Sequence, residues 1–258
     1  MTPVLVFDIE TVPDVAGLRR LDDETAALTD AEVAERAFAA RREKTGSDFL
    51  PHHVHRIVAI SCAFRDREGF RVRSLGAPDD PETTLIQSFF KVIERYTPTL
   101  VSWNGGAFDL PVLNYRALVH GIAAAKYWDM GEDDRDFKWN NYIARYHMRH
   151  TDLMDVLAMY QPRANAPLDA LAKMCGFPGK MGMDGSQVWQ AFQEGRIEEI
   201  RNYCETDVVN TYLLYARFQL MRGALTQDDY ETEIDVVKRA LASERGPQWQ
   251  EYLAAFAA

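Results

Sequence analysis

The segment VLVFDIETVP, at residues 4–13, has the composition of a buried β-strand, yet it contains two carboxylates, Asp8 and Glu10. Burying a charged carboxylate costs free energy unless another group compensates the charge. Because the two acids are two residues apart on a predicted strand, both side chains leave the same face. The segment therefore predicts a site where some partner compensates both charges.

Two later segments carry acids that could join this site. WNGGAFDLP places Asp109 where a short predicted strand ends and a predicted helix at 109–121 begins. On a long predicted helix at 196–223, Tyr203 and Asp207 are four residues apart and so share a face. Four clustered carboxylates cannot all stay ionised without counter-charge, which divalent cations supply, and oxygen ligands suit Mg²⁺ or Mn²⁺. Taken alone, each acid has a simpler interpretation, which for Asp109 is a helix N-cap.

The hydrophobic periodicity predicts a mixed α/β sheet with helical cover rather than an all-parallel sheet. Strands are predicted near residues 4–11, 56–64, 70–76 and 99–103, the second and third forming a hairpin. Helices are predicted at 81–96, 109–121, 151–160, 167–176 and 196–223.

The pattern divides the chain into a main domain at 1–223 and a helical C-terminal extension at 224–258. Residues 13–50 form an inserted segment of low apolar content with one predicted helix. Thr29 and Glu32 are spaced as a capping box at the start of that helix.

Composition limits the classes of protein that this chain can be. No apolar stretch approaches the length of a membrane span, so we expect a soluble, cytoplasmic protein without a membrane partner. Three cysteines without CxxC spacing argue against a disulfide framework. The net charge of −10 argues against broad electrostatic binding to nucleic acid. Carboxylates that hold cations would nevertheless inflate this total, and local basic groups remain.

Three segments together resemble the motifs of the DEDDy class of 3′–5′ exonucleases, which are D-x-E, N-x₃-F-D and Y-x₃-D. They are FDIET (7–11), NGGAFD (104–109) and YCETD (203–207), in the correct order. Asn202 stands where the sister class has histidine, which indicates the tyrosine subclass. Over about residues 1–220 the chain resembles the proofreading exonuclease domain of family B DNA polymerases. It also resembles the free-standing bacterial family of predicted 3′–5′ exonucleases related to that domain.

The resemblance implies an RNase H-like mixed sheet with helices on both faces and two bound metal ions, Mg²⁺ or Mn²⁺. Asp8 would bridge the ions, Glu10 and Asp207 would bind the ion on the nucleophile side, and Asp109 would act through the other ion, largely via water. Tyr203 would position the attacking water. The expected substrate-binding residues are Thr11, Asn104, Phe108 and Lys180, the last of which lies in a glycine-rich loop.

These features predict a 3′–5′ exonuclease that acts on the 3′ end of single-stranded DNA and releases nucleoside monophosphates, with a polymerase or repair partner in trans. Three alternatives stay open: an exoribonuclease of the same class, a phosphodiesterase for short oligonucleotides, and a non-catalytic RNase H-like module that binds nucleic acid or protein. Aromatic residues at 127–146 could stack on bases or form a small satellite core. Asp152 is expected to cap a helix and could also lie close to the metal site.

Overall fold

The computed structural model describes residues 2–256. Within that range five strands form a sheet in the order β3-β2-β1-β4-β5. The strands are β1 (Val4–Pro13), β2 (His55–Asp66), β3 (Gly69–Ser74), β4 (Thr99–Ser102) and β5 (His150–Asp152).

Helices are interspersed with the strands and also follow the last of them. Those that precede β5 are α1 (Val15–Leu21), α2 (Asp30–Thr45), α3 (Glu82–Tyr96), α4 (Asp109–His120) and α5 (Ala125–Trp128). Those that follow it are α6 (Leu153–Leu157), α7 (Leu168–Met174), α8 (Val188–Gln193), α9 (Ile197–Met221), α10 (Gln227–Ser243) and α11 (Pro247–Ala255).

The sheet is mixed, as the sequence predicts. β1 pairs antiparallel with β2, and β2 with β3, whereas the β1–β4 and β4–β5 pairs are parallel. The hairpin expected from residues 56–76 is the β2–β3 pair. This arrangement confirms the α/β, RNase H-like expectation for the fold.

The alternation of side chains along β1 gives the sheet two different faces. Leu5, Phe7 and Ile9 belong to a core that α3 and α4 complete. Val4 and Val6 point to the other side, into a core built with α7, α9, α10 and α11. Helices therefore cover both faces, and α9 lies on the same side of the sheet as Asp8 and Glu10.

Two local predictions were incomplete. Residues 150–152 form β5 rather than the start of a helix, because they pair with Leu100–Ser102 at the sheet edge. The segment 13–50 contains two α-helices, α1 and α2, instead of one. The capping box at Thr29 and Glu32 is present at the start of α2.

No helix within residues 2–256 combines the length and the hydrophobicity needed to cross a membrane.

Candidate active site

Asp8 and Glu10 lie in the second half of β1, beyond the point where β4 stops pairing with it. The β1–β4 ladder covers only Val4 to Val6, so the rest of β1 has a free side there. Glu10 is buried, whereas Asp8 is partly exposed. A register shift between Glu10 and Thr11 then bends the paired strands. The two acids thus lie at an opening in the sheet beneath α9.

Asp109 bonds to the edge of β1 that β4 leaves unpaired. Its Oδ1 accepts a hydrogen bond from the Ile9 backbone N–H at 3.0 Å, and the side chain is buried. The helix N-cap interpretation of Asp109 is wrong, since the cap position of α4 is Phe108 and Asp109 is the first helical residue. The chain uses this carboxylate to join α4 to β1, next to the other acids.

The loop between β4 and α4 is held by a second acid, Asp152. Its two carboxylate oxygens accept hydrogen bonds from the N–H groups of Asn104 and Gly106, at 2.9 and 2.8 Å. Asn104 has a φ of +68°, a conformation that asparagine tolerates better than most residues. A Cβ at Gly105 would lie 2.5 Å from the side chain of Ser102. This loop therefore needs its small residues, and Asp152 both caps α6 and fixes the loop.

The helix α9 supplies the third segment of the site. Tyr203 and Asp207 are both buried on the face of α9 that packs against β1. Lys180 reaches them from the glycine-rich loop: its Nζ lies 3.0 Å from Asp207 Oδ2 and also donates a hydrogen bond to the Tyr203 hydroxyl. The glycine-rich loop is thereby anchored to α9 at Lys180.

The acid cluster, as we call Asp8, Glu10, Asp109 and Asp207, is poorly compensated within the protein. Burial, followed by the charges of Asp109, Glu10 and Asp207, raises the pKa of Asp8 well above its usual range. Burial and then Asp207 raise the pKa of Glu10 in the same way. Burial raises the pKa of Asp109 to about 7. The pKa of Asp207 is also raised by burial, with Lys180 opposing.

The donor set of the acid cluster fits divalent cations. Ligand atoms of Asp8, Glu10 and Cys204 lie within 4.8 Å of one another, and this group does not include Asp109 or Asp207. Asp207 Oδ1 is buried and finds no hydrogen-bond partner among the described residues. An unpartnered buried carboxylate oxygen beside other acids is the environment that hard cations such as Mg²⁺ and Mn²⁺ stabilise.

Cys204 is a neighbour of the site that sequence reasoning missed. Its Sγ lies 3.5 Å from Asp8 Oδ2. Burial and the adjacent acids raise the pKa of the Cys204 thiol well above its usual range, so it stays protonated, and a thiol is a poor ligand for Mg²⁺. Cys204 precedes Asp207 by three residues on α9, and this helical spacing could have indicated that its side chain is on the same face as Asp207.

The remaining candidates for substrate contact surround the opening. The Phe108 ring packs at 5.2 to 5.6 Å from the rings of Phe49, His52 and His55. His55 Nε2 faces the Leu50 carbonyl, which only accepts, so the Thr11 hydroxyl donates to Nδ1 at 2.9 Å. His52 and His55 therefore pack against Phe108, and His55 also holds Thr11 by a hydrogen bond.

The satellite-core interpretation of the aromatic segment 127–146 is confirmed for part of the segment, and base stacking stays a prediction for the rest. Tyr127, Phe137 and Tyr142 are buried against the α3 and α4 core. Trp128, Trp139 and Tyr146 are exposed. The satellite core is present, and the exposed rings stay available for contacts.

Comparisons with known proteins point to one group. The family described as "predicted 3′-5′ exonuclease related to the exonuclease domain of PolB" matches residues 47–256. A DNA polymerase of Archaeoglobus fulgidus is 26% identical over 136 residues, which are 52% of this chain and 17% of the polymerase. The catalytic polypeptide of DNA polymerase epsilon from Emericella nidulans is 25% identical over 142 residues, or 53% of this chain and 6% of that polypeptide.

A solved structure has the same fold. The family B DNA polymerase from Pyrobaculum calidifontis aligns with 100% of this chain and 29% of its own, with a TM-score of 0.52 and 18% identity. This chain spans only a small part of each polymerase that it matches. With its mixed sheet and its match over residues 47–256, the chain belongs to the family of predicted 3′–5′ exonucleases related to the exonuclease domain of PolB.

Proposed function

We propose that this protein is a two-metal-ion 3′–5′ exonuclease that hydrolyses the terminal phosphodiester bond of single-stranded DNA and releases nucleoside monophosphates. The observation that carries the proposal is the acid cluster, in which burial and mutual repulsion leave carboxylates without enough counter-charge in the protein. A module that only binds its partners gains nothing from so costly an arrangement.

Asp8, Glu10, Asp109 and Asp207 would hold the two ions, Mg²⁺ or Mn²⁺. When bound, the ions would supply Lewis acidity and positive charge at the scissile phosphate. The hydrogen bond from Ile9 fixes Asp109, and the helix fixes Asp207, so the ligands need little reorganisation. A carboxylate set that is fixed before binding favours correct alignment of the substrate.

Tyr203 would orient the attacking water. Burial and the neighbouring carboxylates raise the pKa of Tyr203, so the phenol keeps its proton at neutral pH. It therefore acts as a hydrogen-bonding group and not as the base. Lys180, which contacts both Tyr203 and Asp207, offsets part of the negative charge and is placed to approach a phosphate oxygen.

Thr11, Asn104 and Phe108 would contact the terminal nucleotide. Thr11 follows Glu10 directly on β1, Asn104 and Phe108 belong to the segment that leads to Asp109, and all three side chains are partly exposed. The exposed part of the Phe108 ring offers a surface for stacking a base. Single-stranded DNA is favoured as the substrate because the similar proteins described above are DNA polymerases.

The test is an assay with 5′-labelled single-stranded DNA and RNA of the same sequence, with Mg²⁺, Mn²⁺ or a chelator. We expect a ladder that shortens from the 3′ end, needs the metal, and forms faster on DNA. Asp8→Asn should abolish it, whereas Asp133→Asn, which alters an exposed acid, should not. If RNA is shortened faster than DNA, RNA is the preferred substrate. If both strands stay intact with each metal, the proposal is refuted.

A further inference from the structure

A second cavity lies on the sheet face opposite the acid cluster. It has a volume of about 340 Å³ and lies between strands β2 and β3 and the C-terminal half of α3. In the sheet register Arg71 is opposite Phe64, and Arg73 is opposite Cys62, so these side chains share the face of Leu5 and Phe7. Asp8 is on the other face of β1. This cavity is therefore separate from the candidate active site.

Positive charge is concentrated around this cavity, which we call the basic pocket. Its cationic side chains are Arg71, Arg73, Lys91 and Arg95, and no carboxylate belongs to its lining within the described residues 2–256. Arg71 pairs with Asp66 at 2.5 Å and with Glu68 at 3.1 Å. The other three cations form no ion pair with a carboxylate of the described chain.

Such a cluster is unusual for a chain whose net charge is −10. Like charges that converge on one concave site repel each other, and the apolar floor of the site strengthens the field. Asp66 and Glu68 offset the charge of Arg71, but no carboxylate of residues 2–256 pairs with Arg73, Lys91 or Arg95. The charge pattern therefore points to an anionic ligand from outside.

The wall of the basic pocket adds an aromatic element. The rings of Phe64 and Tyr96 lie 5.0 Å apart at an angle of 54°. The guanidinium groups of Arg71 and Arg95 lie 5.5 and 5.0 Å from these two rings. Leu5, Leu75 and Val92 complete an apolar floor. A flat apolar ring could pack against this wall while an attached anion contacts the cations.

We propose that the basic pocket binds a nucleotide, with its phosphate at Arg73, Lys91 and Arg95 and its base against Phe64 and Tyr96. A cavity of this size lies in the range of small-molecule sites. The nucleotide can be a free monophosphate or one unit of a strand that passes over this face. The inference goes beyond the proposed function and does not depend on turnover.

The test is isothermal titration of the whole chain in the presence of a chelator, when the acid cluster lacks cations and repels phosphate. The probes are dAMP, deoxyadenosine, inorganic phosphate and a short oligodeoxynucleotide. The variant is R73Q/K91Q/R95Q, and the matched control, R163Q/R222Q/R239Q, removes three arginines elsewhere. Thermal melting establishes that both variants fold.

We expect dAMP to bind more tightly than phosphate or deoxyadenosine, and the triple variant to lose at least about tenfold in affinity while the control stays within about twofold. If the oligonucleotide binds more tightly than dAMP and is equally sensitive to the variant, the ligand is a strand; otherwise it is a free nucleotide. Equal binding of both variants, or of deoxyadenosine and dAMP, would overturn the proposal. Because no turnover is measured, an inactive protein can still confirm the basic pocket, and an active nuclease can still refute it.

Discussion

Two groups of carboxylates near β1 differ in how their charges are compensated. One is the acid cluster, and the other, which we call the arginine cluster, consists of Asp14 and Glu82 with Arg116 and His120. In the arginine cluster, Arg116 donates to both oxygens of Glu82, at 2.8 and 2.6 Å, and to Asp14. His120 also contacts Glu82, at 2.8 Å. In the acid cluster, Lys180 is the one cation of residues 2–256 that offsets the charges of Asp8, Glu10 and Asp207, and it pairs with Asp207 at 3.0 Å.

The difference is the one we expect between a structural network and the proposed metal site. The arginine cluster joins the end of β1 to α3 and α4, and its charges are satisfied within the chain. The acid cluster leaves Asp207 Oδ1 without a partner in the described residues and raises the pKa values of its members. Buried carboxylates with raised pKa values cluster at functional sites, where an external ligand can supply the missing charge. The following predictions test this distinction.

The largest effect is expected from Asp8→Asn. Removal of one carboxylate should lower single-turnover cleavage by at least about 10³-fold, since ion binding contributes several kcal/mol to the transition state. Because the substitution also relieves repulsion, the metal-free protein should be at least as stable as the parent in urea denaturation. A clear loss of stability in chelator would mean that Asp8 is structural, like the arginine cluster.

The opposite result is expected for Arg116→Met. This substitution leaves Glu82 and Asp14 buried without their partner, which should cost about 3 to 5 kcal/mol of unfolding free energy. Denaturation in chelator is the measurement, and Arg163→Met, in an exposed segment, is the control. Unchanged stability would show that the arginine cluster is not what holds β1 against α3 and α4.

His150 represents a third arrangement, a group kept neutral by burial. Burial lowers the pKa of His150 to about 4, and Ser102 Oγ lies 2.8 Å from its Nε2. The unfolded chain binds the proton below about pH 6.5, so the stability that the neutral His150 contributes should be complete above that pH and be lost as the pH drops towards 4. The acid cluster acts in the opposite direction over this range, because its pKa values are raised in the folded state. We therefore expect the difference in unfolding free energy between the parent and His150→Gln to shift by about 2 kcal/mol, against the parent, from about pH 7 to about pH 4.5.

His150→Gln, which can still bond to Ser102, should lack the loss of stability that protonation of His150 causes between about pH 6.5 and about pH 4.5. His53→Gln, which alters an exposed histidine, should retain the full dependence. If both variants keep the slope of the parent between pH 4.5 and 6.5, the buried histidine is not its source.

The smallest effect is expected from Tyr203→Phe. The acid cluster stays intact and only the hydroxyl that contacts Lys180 is lost. Cleavage should slow by about 10- to 100-fold, equivalent to about 1.4 to 2.7 kcal/mol, with little change in KM. A loss as large as that of Asp8→Asn would assign the tyrosine a more direct chemical role.

Much of the candidate site follows from local periodicity. The strand alternation of β1 places Asp8 and Glu10 on one face, and the helical repeat of α9 places Tyr203 beside Asp207. Each relation involves residues within one element, whose geometry its own backbone fixes. The order of the acidic segments along the chain was also readable without any coordinates.

Tertiary packing decided the rest. Asp109 can bond to the Ile9 backbone because β4 pairs with β1 only as far as Val6. Lys180 contacts Asp207 on α9 from a loop, and Cys204 on α9 contacts Asp8 on β1. The basic pocket likewise needs two strands and a helix to bring its cations together. Sequence period sets the direction of a side chain relative to its own strand or helix. The distance between elements depends on how their apolar faces pack, and that is a property of the whole chain.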